Sequence, residues 1–389
     1  MTFPLPKSDE GLEIILKVVG ETCNLNCHYC YERRKPYARR QVLEPDAVAA
    51  FLKRFGERPL SIGIHGGEPL LLGRDRLAEI FRVIDAYPGR KHVNIQTNGT
   101  LIDREWIRFF KTQRMRVRVG LSVDGPEAAN IHRVSQNNSP TAHSMQCALE
   151  LLSAERLEVG IISVVTSASL GFEAEILQYF ASYSSVRALK FAPCFDFDVK
   201  SKDYRSKSGV DIIRQNPTGN GLPQWAVTPM EYTSFLCAAF DFWCEHKLFL
   251  RFTLEPLTSF IRAILGRDTE SCHFSDKKCA FVLTLYPDGT VGSCDELPMP
   301  AATLSSRGSE PDVAGLLAAP KNMRKQFDEV LQRCASCDYQ RTCGGGCLAT
   351  RVRYLGTTLY DEYCDHRKGI IDHVRECMVE SDVGVVDPQ

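Results

Sequence analysis

Three thiols near the start of the chain constrain it most: Cys23-Asn-Leu-Asn-Cys27-His-Tyr-Cys30, a C-x3-C-x2-C spacing. The run before them, Glu13 to Val19, is mostly apolar and reads as a strand, so the thiols lie on the loop that leaves it. Thiolates bind soft metal centres, either an iron–sulfur cluster or zinc. A [4Fe–4S] cluster takes four thiolates where it is fully ligated. Three leave one iron open to a reactant. The competing reading is a structural zinc site with a distant fourth ligand, such as His28 or His65.

The chain holds sixteen cysteines among 389 residues. It shows no signal-peptide h-region and no apolar run long enough to span a bilayer, which predicts a cytoplasmic protein. Disulfides are disfavoured in a reducing compartment, so that many thiols point to metal. The formal net charge of −1 gives no field for nucleic acid or a membrane surface. The basic runs Arg33-Arg34-Lys35 and Arg39-Arg40 read as solvated loop.

From residue 12 the chain alternates between strand and helix patterns. Strands are predicted over 60–64, 92–97, 117–123, 158–165 and 186–191. Helices are predicted from about 45 to 55, 75 to 86, 103 to 111, 141 to 153 and 171 to 183. Six short β/α units in succession suit parallel strands with crossover helices, and such barrels put their chemistry at the C-terminal strand ends. His65-Gly66-Gly67-Glu68-Pro69 follows the second strand, Asn98-Gly99 the third and Asp124-Gly125-Pro126 the fourth. Taken alone, each is an ordinary turn. Residues 194 to 227 break the pattern and read as a long loop over the barrel mouth. A helix over 229–247 follows, in which Cys237 and Cys244 beside Phe240, Phe242 and Trp243 read as core packing. Cys194, just after the sixth strand, reads as a thiol at the mouth.

From 272 onward the cysteines run C-x6-C-x9-G-x4-C, then C-x2-C-x5-C-x3-C, then one more after sixteen residues. Eight thiols could hold two zinc ions or two iron–sulfur clusters.

The first cysteine motif, the Gly66-Gly67-Glu68-Pro69 turn and the segments Gln96 to Thr100 and Leu121 to Pro126 resemble the radical S-adenosylmethionine (SAM) enzymes. Within these they look like the anaerobic sulfatase-maturating enzymes and their peptide-modifying relatives. The resemblance implies that Cys23, Cys27 and Cys30 hold a [4Fe–4S] cluster whose open iron takes SAM. SAM is then cleaved to a 5′-deoxyadenosyl radical that abstracts hydrogen from substrate. It further implies a SAM site formed by Tyr29, Gly66, Gly67, Glu68, Asn98, Ser122 and Arg133, with the Glu68 carboxylate on the SAM ammonium. His65 falls where such enzymes have a polar residue near the substrate.

The later field resembles a SPASM domain with two auxiliary [4Fe–4S] clusters, three clusters in all. Its interleaved ligation implies one set of Cys272, Cys279, Cys294 and Cys347 and a second of Cys334, Cys337, Cys343 and Cys364. By the same resemblance Asp295, directly after Cys294, is the base that takes a proton as an electron leaves the substrate.

The expected architecture is a partial (β/α)6 radical SAM barrel with a C-terminal SPASM domain. It divides as a tail (1–11), barrel (12–195), connecting loop and helices (196–270) and SPASM domain (271–389). With eleven residues before the first strand, no fused leader-binding domain is expected. The expected activity is that of a SAM-consuming oxidoreductase. First choice of substrate is a ribosomally made precursor peptide, cross-linked or oxidised at a side chain. The alternatives are a sulfatase, with Cys or Ser converted to formylglycine, and a small metabolite such as a nucleoside, including sulfur insertion from an auxiliary cluster. A non-enzymatic electron carrier or scaffold is disfavoured, since it needs no SAM site. A flavodoxin- or ferredoxin-type electron donor is expected, with no nucleic-acid and no membrane partner.

Overall fold

The computed structural model describes residues 6–7, 9–32, 41–195, 222–269, 271–275, 278–297, 303–305, 313–317 and 324–380. The basic runs between 33 and 40 and most of the loop expected over 194–227 lie outside these.

Six parallel strands form the heart of the fold: β1 (Leu12–Leu16), β2 (Leu60–Ile64), β3 (Lys91–Thr97), β4 (Val117–Ser122), β5 (Val159–Val165) and β6 (Val186–Pro193). Between them run α1 (Pro45–Lys53), α2 (Arg74–Asp85), α3 (Arg104–Lys111), α4 (Ala142–Ala154) and α5 (Glu173–Ala181). The partial barrel is therefore as the alternation predicts. Local chemistry agrees with the packing. Asp103 Oδ1 caps α3 by accepting from the Trp106 N–H at 2.7 Å, while Trp106, Ile107 and Phe110 turn to the core.

The sheet is longer than six strands. After α6 (Pro229–Glu245), whose Thr228 and Glu231 form a reciprocal capping box, β7 (Thr253–Glu255) pairs in parallel with β6. At the other edge β8 (Val282–Leu285) pairs in parallel with β1, and β9 (Val291–Gly292) and β10 (Thr303–Ser305) continue antiparallel. The order is β10-β9-β8-β1-β2-β3-β4-β5-β6-β7, one sheet that runs across the boundary expected at 270. These added strands have two to four residues each, too short for a period to register in sequence.

The cysteine-rich segment is thus tied to the barrel twice. One tie is β8 against β1. The other is α12 (Leu359–Glu380), which packs along α6, with Thr233 Oγ1 on α6 and His366 Nδ1 on α12 2.8 Å apart. No helix among the described residues is long and apolar enough to cross a membrane.

Candidate functional site

The three N-terminal thiols lie in the loop after β1, at the C-terminal ends of the strands. Cys30 N–H donates to the Cys27 carbonyl at 3.2 Å, a tight turn that gathers the sulfurs. Burial first, and then the charges of Glu68, Cys30 and Cys27, push the Cys23 thiol up to about 12, although the Leu25 N–H lowers it. Burial also raises Cys27. Thiols that each suppress the others' ionisation become good ligands when a cationic centre sits among them, so this donor set fits an iron–sulfur cluster.

The glycine loop packs against the same segment. A Cβ on Gly67 would lie 2.1 Å from the Thr22 carbonyl oxygen, and one on Gly66 2.3 Å from Lys17 Cδ; both glycines have positive φ. Glu68 is fully buried. Its carboxylate accepts from Thr97 Oγ1 (2.7 Å), Leu70 N–H (3.0 Å) and Asn98 N–H (2.7 Å). Its nearest work is therefore to fix the Asn98 turn. Asn98 Nδ2 in turn donates to Asn24 Oδ1 (2.8 Å) and points at Cys23 Sγ (3.6 Å).

Across the mouth, the Tyr29 hydroxyl donates to Asp124 Oδ2 at 2.6 Å and accepts from Arg133 Nη1 at 2.8 Å. Asp124 and Arg133 are buried and Tyr29 half-buried, and Asp124 also accepts from the Val164 N–H. Burial raises the Asp124 carboxyl, and Arg133 opposes that. Ser122 Oγ accepts from Gln96 Nε2 at 2.9 Å, on the third and fourth strand ends. Asp124, read from sequence as part of a turn, is the buried centre of this triad.

A second polar cluster joins the barrel to the C-terminal segment. Lys17, directly after β1 and fully buried, donates to Asp295 Oδ2 and to Glu32 Oε1, both at 2.7 Å. Tyr31 O–H donates to the same Asp295 oxygen at 3.0 Å. His65 Nε2 lies 3.4 Å from it, and His65 Nδ1 lies 3.3 Å from Lys17 Nζ. Sequence reasoning found Asp295 and His65 but missed Lys17, Tyr31 and Glu32. The available signal was Lys17 itself, a lone charge inside Ile14-Ile15-Leu16-Lys17-Val18-Val19.

The C-terminal thiols fall into two neighbourhoods. Burial, then the charges of Cys347 and Cys272, hold Cys279 well above its usual range; Cys294 likewise faces Cys279, Asp295 and Cys272. Cys334, Cys337, Cys343 and Cys364 instead line one cavity of about 310 Å³ with Arg333, Arg351 and Arg367. Arg351 Nη1 lies 2.9 Å from Cys334 Sγ, and its Nε and Nη2 are buried with no acceptor among the described residues. Arg367 Nε lies 3.5 Å from Cys343 Sγ. Burial raises the Cys343 thiol, but Arg367, the Gly345 N–H and Lys278 together more than offset it and the net shift is downward. Four thiols, two Arg351 donors with no acceptor among the described residues and space between them fit an anionic iron–sulfur cluster. Gly344, Gly345 and Gly346 all have positive φ; a Cβ on Gly344 would lie 2.5 Å from the Phe274 backbone.

Among the remaining thiols Cys194 is buried, with its N–H on the Val165 carbonyl. Cys237 and Cys244 do not sit in the core as expected: they are half-buried and exposed respectively, on the α6 face toward Cys377.

Residues 18–173 match the radical SAM superfamily, so the chain carries a radical SAM domain. It is similar over nearly its whole length to two kinds of relative. A cysteine-type anaerobic sulfatase-maturating enzyme of Clostridium perfringens (strain 13 / Type A) is 28% identical over 380 residues, 93% of this chain and 96% of that one. A serine-type anaerobic sulfatase-maturating enzyme of Bacteroides thetaiotaomicron is 24% identical over 353 residues, 87% of this chain and 83% of that one. Among solved structures, native anSMEcpe with bound AdoMet and the Cp18Cys peptide superposes with a TM-score of 0.76 at 23% identity, covering 96% of this chain and 99% of that one. Streptococcus suis SuiB bound to S-adenosylmethionine superposes with a TM-score of 0.59 at 14% identity, covering 90% and 76%. The fold is that of a partial radical SAM barrel continued by a SPASM-type segment.

Proposed function

We propose that this radical SAM enzyme oxidises a cysteine or serine side chain of a sulfatase or sulfatase-like peptide to formylglycine. The observation that carries the reading is the position of Asp295. It stands next to Cys294 in sequence, and Lys17, Tyr31 and His65 hold it at the barrel mouth. The full-length similarity to both cysteine- and serine-type maturases supports it. The precursor-peptide reading put first from sequence rests on a fold likeness alone and yields to this one.

Cys23, Cys27 and Cys30 would hold one [4Fe–4S] cluster. Gly66, Gly67, Asn98, Ser122, Tyr29 and Arg133, backed by Glu68, would wall the SAM site. Cys272, Cys279, Cys294 and Cys347 would hold a second cluster, and Cys334, Cys337, Cys343 and Cys364 a third. When bound, these groups supply a radical that removes hydrogen from the substrate carbon and accept the electron left behind, SAM being consumed and a flavodoxin- or ferredoxin-type donor replenishing electrons.

The chain's own part is to hold the substrate side chain and move its proton. Asp295 Oδ2 takes the proton from the substrate sulfur or oxygen as the side chain loses two hydrogens in all. Lys17 keeps that carboxylate in place while Glu32 balances the ammonium. A serine then already carries its carbonyl. With cysteine, water replaces sulfur, which leaves as hydrogen sulfide.

The test is mass spectrometry on a sulfatase peptide in cysteine and serine forms, with SAM and dithionite. Expected are losses of about 18 Da for cysteine and about 2 Da for serine, the sums of the atoms exchanged. Both peptides unmodified alongside SAM cleavage would overturn the reading.

A further inference from the structure

Along their shared seam, α6 and α12 bring together a second set of metal-ligating groups. His373 and Cys377 stand one turn apart on α12, on the face that meets α6, and Asp241 faces them from α6. His373 Nε2 is 2.7 Å from Asp241 Oδ1; Cys377 Sγ is 3.7 Å from that oxygen and 3.8 Å from His373 Nε2. All three ligand atoms lie within 4.8 Å of one another. Cys237 and Cys244, one turn either side of Asp241, are close enough that both respond to the charges of Asp241 and Cys377.

We propose that Asp241, His373 and Cys377 form a zinc-class site that staples α6 to α12, with a fourth position open to Cys237, Cys244 or water. Tetrahedral zinc, with bonds of about 2.3 Å to sulfur and about 2.0 Å to nitrogen or oxygen, separates its ligand atoms by about 3.3 to 3.6 Å. The three measured separations bracket that range, so small rotations of the His373 ring and the Asp241 carboxylate seat the ion. One thiolate, one imidazole and one carboxylate suit a borderline divalent cation better than calcium or magnesium, which select oxygen. Binding displaces the proton from the Cys377 thiol, and His373 offers Nε2 in the tautomer that carries its proton on Nδ1.

The site's position gives it a role. α12 carries Cys364 in its first half and Cys377 in its last turns. α6 is anchored to the barrel by the Tyr232 hydroxyl, which donates to the Phe191 carbonyl of β6 at 2.8 Å. A metal between them fixes the cysteine-rich segment against the barrel from the side opposite β8.

The experiment uses the anaerobically reconstituted, iron-loaded full chain. It is given one equivalent of zinc, desalted and analysed for both metals, with zinc-edge X-ray absorption on the same sample. Wild-type protein should keep about one zinc per chain, with one or two sulfur and two or three nitrogen or oxygen neighbours. Cys377→Ser and His373→Ala should each lose that zinc and keep their iron, while Cys147→Ser, at a thiol elsewhere, should keep both. Zinc bound only by sulfur would place it in the cluster sites and overturn the proposal. So would failure of wild type to retain zinc, or equal retention in Cys377→Ser. Because the absorption signature is read on wild type, misfolding of a variant cannot decide the outcome.

Discussion

The Nζ of Lys17 and the Oδ2 of Asp295 lie 2.7 Å apart across 278 residues of sequence. One closes the first strand of the barrel; the other follows a cysteine of the C-terminal segment. Their ion pair is buried, and Glu32 completes it from the loop after Cys30. An ammonium between two carboxylates leaves a net charge of −1, and the Tyr31 hydroxyl stabilises it by donating to Asp295 Oδ2.

Asp295→Asn keeps the shape and hydrogen-bonding capacity of the side chain but removes the base. Formation of 5′-deoxyadenosine should stay within a few-fold of wild type, while product falls by about 10²- to 10⁴-fold, the usual worth of a positioned base. Parallel chromatography of both products checks this. Equal losses of the two would mean that Asp295 supports the SAM site instead.

Lys17→Met should destabilise the chain more than any exposed charge deletion, because it strands two buried carboxylates. The expected cost is about 3–5 kcal/mol. Thermal unfolding of the anaerobic protein should show it, and Arg82→Met, whose pair with Glu79 is exposed, should shift the midpoint little.

Cys364→Ala should remove one cluster and leave the others. The iron content should fall from about twelve to about eight per chain. Cys23→Ala with Cys27→Ala and Cys30→Ala should remove a similar amount and, unlike Cys364→Ala, abolish SAM cleavage outright. Metal analysis and turnover together separate the two cases.

Arg351→Met deletes a guanidinium 2.9 Å from Cys334 Sγ. Positive charge and N–H donors beside a cluster favour its reduced, more negative form. One of the cluster potentials should therefore move negative in redox titration followed by electron paramagnetic resonance, and Arg351→Lys should recover part of the shift. Unchanged potentials would make Arg351 a packing residue only.

His132 should make the protein less stable in mild acid. Burial first, and then neighbouring His28, lower its pKa below 6.5. The unfolded chain therefore takes up a proton that the folded one refuses. Stability is full above the unfolded value and falls as pH drops through about 6.5 toward the lower folded value, by at most about 1.4 kcal/mol per pH unit. Unfolding midpoints between pH 7.5 and 5 should fall less steeply for His132→Asn than for wild type.

Much of the barrel could be read from the chain. Its strands and helices are long enough for period and capping to register, as Asp103 before α3 shows. The cysteine motifs were readable because ligand spacing is local: a loop of eight residues can close around a metal wherever the rest of the chain lies.

What sequence left open depends on distance. β8 against β1, Lys17 on Asp295, Asp124 under Tyr29 and Cys377 beside Asp241 each join segments with no local signature of their partner. Periodicity tells which face a residue occupies but not which element covers it. Glu68 shows the same limit from the other side: its motif marked it for a ligand, and only the fold shows that its carboxylate also accepts from Thr97, Leu70 and Asn98. Local spacing determined which thiols can gather around a metal. Only the assembled sheet decided which charges face them, because burial and ion pairing are properties of the packed whole.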